Sequence, residues 1–216
     1  MIVLAFDTAT PDTVVALGPD IELRHSPGDD ERPGHASQLL ALCRAALERA
    51  GLEWSDVERI GVGVGPGTFT GLRIGVATAR ALAQSCGAQL VAISTLEALA
   101  AGAAGDGPVL ACLDARRGEA FTAAWRGGAA VQAPAATRPE GLASLVGDGW
   151  LAVGDGALRF RAQLETAGAS VPDADDPRHR VGGAALHALA LAAAPVDRDA
   201  LVPDYVRAPD ARERPR

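Results

Sequence analysis

Lysine is absent from the 216 residues of the chain, and this absence excludes several classes of enzyme. A Walker A loop needs a lysine that reaches the phosphates of a nucleotide, and Schiff-base or lysine-base catalysis needs an amine. The G-x-S-x-G elbow of serine hydrolases is missing as well. The sequence therefore gives no sign of P-loop, Schiff-base or serine-hydrolase chemistry.

Histidine is scarce, and the spacing of its positions excludes one kind of metal site. The four histidines are His25, His35, His179 and His187. A two-histidine site on one helix face needs positions i and i+4, and no two of the four have that spacing. Magnesium binding by carboxylates alone remains open. His35 precedes a predicted helix, and we interpret it as a solvent-facing or capping residue.

Cysteines and long apolar runs are also few. Cys43, Cys86 and Cys112 lie singly in apolar segments, which favours buried thiols in a reducing compartment over disulfides or metal ligands. No apolar run approaches the roughly 20 residues that span a bilayer. The first seven residues carry no basic region, so they predict a strand and not a signal peptide. We expect a cytoplasmic protein without membrane contact.

Positive charge is in deficit: the sequence has 27 acidic and 20 basic residues, so its formal net charge is −7. Proteins that grip nucleic acid alone usually present a basic patch, so direct RNA binding is not expected to be the main task. Four arginines gather near the end of the chain, at 207, 212, 214 and 216. We interpret the tail 208–216 as a flexible, solvated end.

The run GPGTFTGLRIG, residues 65–75, is the most informative stretch that is present. It joins a predicted strand, 59–64, to a predicted helix, 70–86, and Pro66 prevents the helix from starting earlier. Its glycines can adopt positive φ angles and leave backbone N–H groups exposed. Such a backbone can bind an anion or pack closely against a neighbouring segment. Both interpretations remain open. The spacing does not match the dinucleotide fingerprint G-x-G-x-x-G.

The order of elements predicts an α/β chain with a faint internal repeat. A meander of three strands (2–8, 13–18, 21–26) leads to the predicted elements helix 36–50, strand 59–64, helix 70–86, strand 90–93 and helix 94–103. The order β-β-β-α-β-α then restarts with predicted strands at 109–114, 119–125 and 150–153. We predict lobes 1–104 and 105–216, although the pattern alone leaves duplication and coincidence equally open.

Two aspartates end corresponding strands of the two units, Asp7 and Asp114. In a duplicated fold they could face each other across a cleft and hold a metal–phosphate complex or act as a base. They could also cap local N–H groups in turns. The spacing alone favours the turn.

The first two long helices carry more apolar surface than one buried face needs. Between 36 and 50 the apolar positions cover an arc of roughly 160°. In helix 70–86 the polar residues Arg73, Arg80 and Gln84 fall within about 40°, so this helix should be hidden almost all round. Small residues recur there every four positions. The helix either lies centrally in its own domain or also packs against a partner, and the sequence alone favours the first.

Five segments together resemble the bacterial TsaB (YeaZ) family over nearly the whole chain. They are LAFDTAT at 4–10, RPGHA at 32–36, the glycine run, LDARRGE at 113–119 and PDYVR at 203–207. The resemblance implies a duplicated actin/Hsp70-like (ASKHA, RNase H-like) α/β fold, with the last helix returning toward the first lobe. It also implies a non-catalytic scaffold that binds and activates TsaD, works with the ATPase TsaE and forms a homodimer when alone. That complex transfers threonylcarbamoyl to N6 of adenosine 37 in tRNAs reading ANN codons.

The resemblance also assigns residues. TsaD-like relatives have metal-binding histidines in H-L-E-G-H, whereas the matching stretch here is Thr95-Leu96-Glu97-Ala98-Leu99. We therefore expect no metal, no cofactor and no catalytic residue, and contact with tRNA only through the complex. The expected partner interface is Leu39, Leu42, Cys43, Ala46, Gly71, Arg73, Gly75, Ala79 and Ala83. A vestigial nucleotide cleft would comprise Asp7, Thr8, Gly65, Gly67, Thr68 and Asp114.

An alternative from another functional class is an ATP-dependent phosphotransferase of the same fold superfamily. It would place Asp7, Thr8, the loop 65–71 and the turn 154–156 around the phosphates. The second turn, Gly154-Asp155-Gly156, is short for that role.

Overall fold

The computed structural model describes residues 1–28, 31–103, 105 and 107–206. The strands in these ranges are β1 (Val3–Asp7), β2 (Thr13–Leu17), β3 (Ile21–His25), β4 (Arg59–Gly65), β5 (Gln89–Ser94), β6 (Val109–Asp114), β7 (Ala120–Arg126), β8 (Ala129–Thr137) and β9 (Leu151–Val153). The α-helices are α1 (His35–Ala50), α2 (Phe69–Cys86), α3 (Thr95–Ala103), α4 (Pro139–Leu142), α5 (Asp155–Arg159), α6 (Arg161–Thr166) and α7 (Gly183–Ala192).

The strands form two mixed sheets with similar topology. The first has the order β3-β2-β1-β4-β5, in which β1, β2 and β3 are antiparallel and β1, β4 and β5 are parallel. The second has the order β8-β7-β6-β9, again with an antiparallel meander and one parallel pair, β6 with β9. The predicted α/β fold class is thus confirmed, and the structure shows that its strands form two mixed sheets.

The elements stack in five layers. Helices α1 and α2 cover one face of the first sheet with an apolar cluster that includes Leu4, Phe6 and Leu39. Helices α3 and α7 lie between the two sheets, where their residues share one cluster with both. Helices α4, α5 and α6 cover the far face of the second sheet. Although α7 follows the second sheet in the chain, it packs on β1 and β4 of the first sheet.

Strand β8 lies in the Ala-, Gly- and Pro-rich stretch 127–139, for which no strand is predicted above. It is an edge strand, and most of its side chains are exposed, so no alternation of apolar and polar residues marks it. It is joined to β7 by Gly127 and Gly128, whose φ angles of 57° and 78° suit a tight hairpin turn. The glycine pair was the available signal.

Two further sequence-based expectations concern the C-terminal tail and contact with a membrane. The flexible tail predicted at 208–216 lies outside the described residues. Among the helices of the described ranges, none combines the length and the apolar character that crossing a membrane requires.

Candidate functional site: an interlobe cleft and an outer helical face

The glycine run packs against the turn that follows β1. A Cβ atom on Gly71 would overlap the carbonyl oxygen of Thr8, and one on Gly67 would overlap that of Ala9. The amide of Thr68 donates to the carbonyl oxygen of Ala9 at 2.7 Å. At these positions the glycines make room for the chain's own backbone, so the interpretation as a tightly packed neighbour is the one that the structure favours.

Asp7 is enclosed behind this turn. Its carboxylate accepts hydrogen bonds from the amide of Ala9 and from the hydroxyl of Thr95, each at 2.7 Å, and it is fully buried. Burial raises the pKa of Asp7 against the opposing effect of these hydrogen bonds. The neighbouring Thr8 is also fully buried and donates its hydroxyl proton to the carbonyl oxygen of Gly71 at 2.8 Å. Neither side chain lines the cleft between the two strand-ending turns.

Asp114 occupies the corresponding position in the second sheet and is also held by its neighbours. Its carboxylate accepts from the amide of Arg116 at 2.9 Å and from Arg159 at 3.0 Å. Its own amide donates to the carboxylate of Asp155 at 2.9 Å. Desolvation, and to a lesser degree the charge of Asp114, raises the pKa of Asp155. Both strand-ending aspartates thus bond to local N–H groups.

The turn between β6 and β7 has a feature that sequence reasoning missed. Arg116 and Arg117 have φ angles of 62° and 54°, in the left-handed region that non-glycine residues seldom occupy. Only Gly118, at 81°, is suited to it. A pair of arginines before a glycine gives no pattern that would predict this backbone.

His179 secures the turn that precedes α5. Its Nδ1 accepts from the amide of Gly154 at 3.0 Å, and its Nε2 then donates to the carbonyl oxygen of Pro172, also at 3.0 Å. Gly154 and Gly156 pack so closely on the backbone of Cys112 that side chains there would overlap it. Like the first glycine run, this turn is filled by the chain itself.

A cleft of about 300 Å³ lies between these turns. Among the predicted cleft residues Gly67, Thr68 and Asp114 line it, whereas Asp7, Thr8 and Gly65 lie behind its wall. Its other lining residues include Thr10, Phe69, Arg116, Phe121 and Asp155. The described residues contain no cluster of three metal-ligating side chains. Because Asp7 and Thr8 are buried and already bonded, the residues do not fit a magnesium–nucleotide complex arranged as the phosphotransferase hypothesis requires.

Most residues predicted for the partner interface lie inside the chain's own core. The buried ones are Leu39, Cys43, Ala46, Gly71, Gly75, Ala79 and Ala83, whereas Leu42 is half-buried and Arg73 is exposed. The five of these residues that have side chains belong to the apolar cluster against the first sheet, and the two glycines pack on the Thr8 segment, so none of the seven offers an exposed surface to a partner. A Cβ on Gly75 would lie 2.6 Å from the hydroxyl oxygen of Thr8, so a bulky residue there would disturb the fold itself.

The opposite sides of α1 and α2 form a surface that we call the outer helical face. It consists of Leu40, Ala41, Ala45, Ile74, Ala77 and Ala81. Leu40 is 51% exposed, and all the others except the half-buried Ile74 are exposed as well. The composition of α2 predicted a helix that is hidden almost all round. The structure shows that this prediction is wrong, because one side of α2 is exposed.

The polar strip of α2 binds a later part of the chain. Arg80 donates to the carbonyl oxygen of Asp199 at 3.1 Å, and Gln84 accepts from Arg198 at 2.9 Å. Arg73 donates to the hydroxyl of Tyr205 at 3.1 Å. All three polar residues thus contact the segment 198–205, which runs along one side of the helix.

His35 differs from its sequence interpretation. It is only 3% exposed and its Nδ1 lies 2.7 Å from the hydroxyl of Thr13, so it is a core residue at the start of α1 and does not face solvent. Its Nε2 is enclosed and has no hydrogen-bond partner in the described structure.

Solved structures define the class of protein. The chain superposes on YeaZ from Pseudomonas aeruginosa with a TM-score of 0.78 and 28% identity, covering 94% of this chain and 99% of that one. A ROK hexokinase from Thermus thermophilus matches with a TM-score of 0.52 and 13% identity, which concerns the fold alone. The protein is an α/β protein of the actin/Hsp70-like (ASKHA) fold, as predicted.

Sequence comparisons give the family. The family model described as TsaD, tRNA N6-adenosine threonylcarbamoyltransferase, matches residues 31–139, half of the chain. TsaB of Escherichia coli is 36% identical over 129 residues, which cover 58% of this chain and 55% of that protein. TsaB of Bacillus subtilis is 37% identical over 92 residues, covering 42% and 40%. The chain belongs to the TsaB (YeaZ) family, within the wider family of the TsaD model. The matches span 39 to 63% of the first three curated relatives.

Proposed function

We propose that the chain is the non-catalytic subunit of a complex that transfers threonylcarbamoyl to N6 of adenosine 37 in tRNAs reading ANN codons. The relatives from Escherichia coli and Bacillus subtilis are both named tRNA threonylcarbamoyladenosine biosynthesis protein TsaB, which supports a role in this modification. In this role the chain binds and activates a TsaD subunit, works with TsaE, contacts tRNA through the complex and pairs with itself when TsaD is absent.

The exposed apolar surface of the outer helical face is the main structural support for the proposed scaffold role. It presents an exposed leucine beside four exposed alanines, and such small side chains allow another helix to come close. Specific interfaces commonly bury around 1,600 Å² in total, which two helices of this length can supply with their flanking loops. The partner is expected to cover this face and not the inner residues that the sequence suggested.

The state of the cleft supports a role other than catalysis. Thr95 stands where the resemblance places a metal-binding histidine in TsaD-like relatives, and its hydroxyl is bonded to the buried Asp7. Asp114 is likewise bonded to two arginines. The two strand-ending carboxylates, which the phosphotransferase alternative would need for a nucleotide–metal complex, therefore stabilise local structure.

Reconstitution tests the proposal. Purified TsaD, TsaE, the enzyme that makes threonylcarbamoyl-adenylate, ATP and an ANN-reading tRNA are combined with and without the chain, and modified adenosine is measured by mass spectrometry. We expect modification to depend on the chain. Equal modification without it, or turnover of threonylcarbamoyl-adenylate by the chain alone, would contradict the proposal.

A variant of the outer helical face tests the docking surface. Ala77→Arg places a long charged side chain on the exposed side of α2, so we expect loss of co-elution with TsaD while thermal stability is kept. Ala188→Arg is the matched control, since Ala188 is exposed on α7. Co-elution of the Ala77 variant at wild-type affinity would show that the partner binds elsewhere.

A further inference from the structure

Arg73 lies at one end of the outer helical face and is held in one orientation by two aromatic side chains. Its guanidinium carbon lies 3.7 Å from the centre of the Phe69 ring, and its Nε donates to the hydroxyl of Tyr205 at 3.1 Å. The two rings are themselves in contact, with centroids 5.5 Å apart. Stacking on one side and a hydrogen bond at Nε together fix the plane of the guanidinium group.

The outward half of this guanidinium group is available for binding. Stacking and the Nε bond leave the two Nη atoms, and within the described ranges neither has a hydrogen-bond partner nor an ion pair with a carboxylate. Two parallel N–H groups in a plane match the geometry of a carboxylate or a phosphate. Because the side chain is already ordered, little conformational entropy is lost when such a group binds.

The surroundings decide between these two ligand groups. Arg73, Ala77 and Ala81 follow one another at four-residue spacing, so they lie on one side of α2, and Phe69 is 47% exposed beside them. The only other basic residue of the helix, Arg80, is half-buried and bonded to Asp199. Nucleic-acid binding depends on several cations that each neutralise a phosphate, whereas a single arginine among aromatic and small side chains is typical of a protein interface.

We propose that Arg73 is a preorganised receptor for one carboxylate group, an aspartate or glutamate of the partner protein that covers the outer helical face. Phe69 and Tyr205 are positioning residues, because they act through the orientation of Arg73. This inference rests on the proposed docking function and adds the chemistry that the partner must offer.

Three variants test the receptor by surface plasmon resonance against TsaD. Arg73→Gln removes the charge, Arg73→Lys keeps the charge but loses the planar pair of donors, and Tyr205→Phe removes the acceptor at Nε. We expect the Lys variant to keep its association rate and to dissociate about tenfold faster, since the planar geometry is lost while electrostatic steering remains. The Gln variant should change both rates, and the Phe variant should lose about threefold in affinity.

Arg178→Gln is the matched control, because Arg178 is an exposed, ion-paired arginine of the second lobe. Equal dissociation rates for the wild type and the Arg73→Lys variant would overturn the inference. It would also be overturned if Arg178→Gln weakened binding to TsaD as much as Arg73→Gln does. Variants that lowered affinity for an RNA hairpin but not for TsaD would indicate a phosphate and would overturn it too. In these cases the proposed function stands if reconstitution still depends on the chain. Failure of the wild type to bind TsaD would end both.

Discussion

At the scale of the residue, the surroundings of Asp7 decide between a ligand site and a turn, the two interpretations that the sequence left open. An aspartate at a strand end suits either a ligand site or a turn, and only the position of its neighbours decides between them. Here a hydroxyl from α3, 88 positions along the chain, completes the hydrogen bonding of the carboxylate. No local sequence pattern could reveal this bond.

Thr95→Val tests the importance of that bond. The change keeps the shape of the side chain but leaves one oxygen of a buried carboxylate without its donor, so we expect a loss of about 1–3 kcal/mol in the free energy of unfolding, measured with urea. Thr70→Val is the control, because Thr70 is exposed. Equal stability of the two variants would mean that another group satisfies Asp7.

His35 gives a pH dependence with a definite sign. Burial, together with the charge of His25, lowers the pKa of His35 and outweighs the effect of Asp12. The unfolded state then binds protons more readily than the folded state, so stability is full above pH of about 6.5 and falls as the pH is lowered below that value. The loss stops only below the folded-state pKa.

His35→Asn tests this prediction, because an amide can replace Nδ1 beside Thr13 but does not titrate. We expect the variant to be less stable at pH 8 and to show a smaller decrease between pH 6.5 and 5 than the wild type in urea unfolding. His187, whose pKa is also lowered, provides the control variant His187→Asn, which should keep the contribution of His35. An unchanged slope in the His35 variant would assign the pH dependence to other groups.

At the scale of the element, the sequence predicted the pattern of helices and strands well in the first half. Gly51 and Gly87 end α1 and α2 with φ angles of 66° and 72°, a signal that is local and readable. The direction of each helix face was not readable. The polar strip of α2 correctly marked a side of the helix that does not face the apolar core. The segment that covers this strip, 198–205, lies more than 100 residues further along the chain, so the local sequence could not predict it.

Helix α7 is attached to the first sheet by Arg59. One Nη atom donates to the carbonyl oxygens of Ala190, Leu191 and Ala193, at 3.0, 2.9 and 3.3 Å, and so satisfies groups at the helix end that lack intrahelical partners. Arg59→Leu should lower the free energy of unfolding by about 1–3 kcal/mol and speed amide hydrogen exchange in α7. Arg49→Leu, on the exposed side of α1, should change neither; exchange in α7 that matches the wild type would contradict the role of Arg59.

At the scale of the whole molecule, the cluster between the sheets makes the two predicted lobes dependent on each other. Leu96 and Leu99 of α3 and Leu186 of α7 are fully buried among residues of both sheets. Such shared burial means that neither sheet can keep its covered inner face if the other unfolds. The boundary predicted near residue 104 therefore divides the sequence into similar units, but we do not expect it to divide the molecule into two units that unfold separately.

The three tryptophans allow this cooperativity to be measured, because Trp54 lies beside the first sheet whereas Trp125 and Trp150 belong to the second. Variants that retain only Trp54 or only Trp150 should show coincident urea transitions by fluorescence once differences in overall stability are corrected by circular dichroism. Leu99→Ala, which opens a cavity between the layers, should lower both midpoints together and cost about 2–5 kcal/mol. A shift of only one midpoint would show that the lobes unfold independently, and the outer helical face could then bind its partner without support from the second lobe.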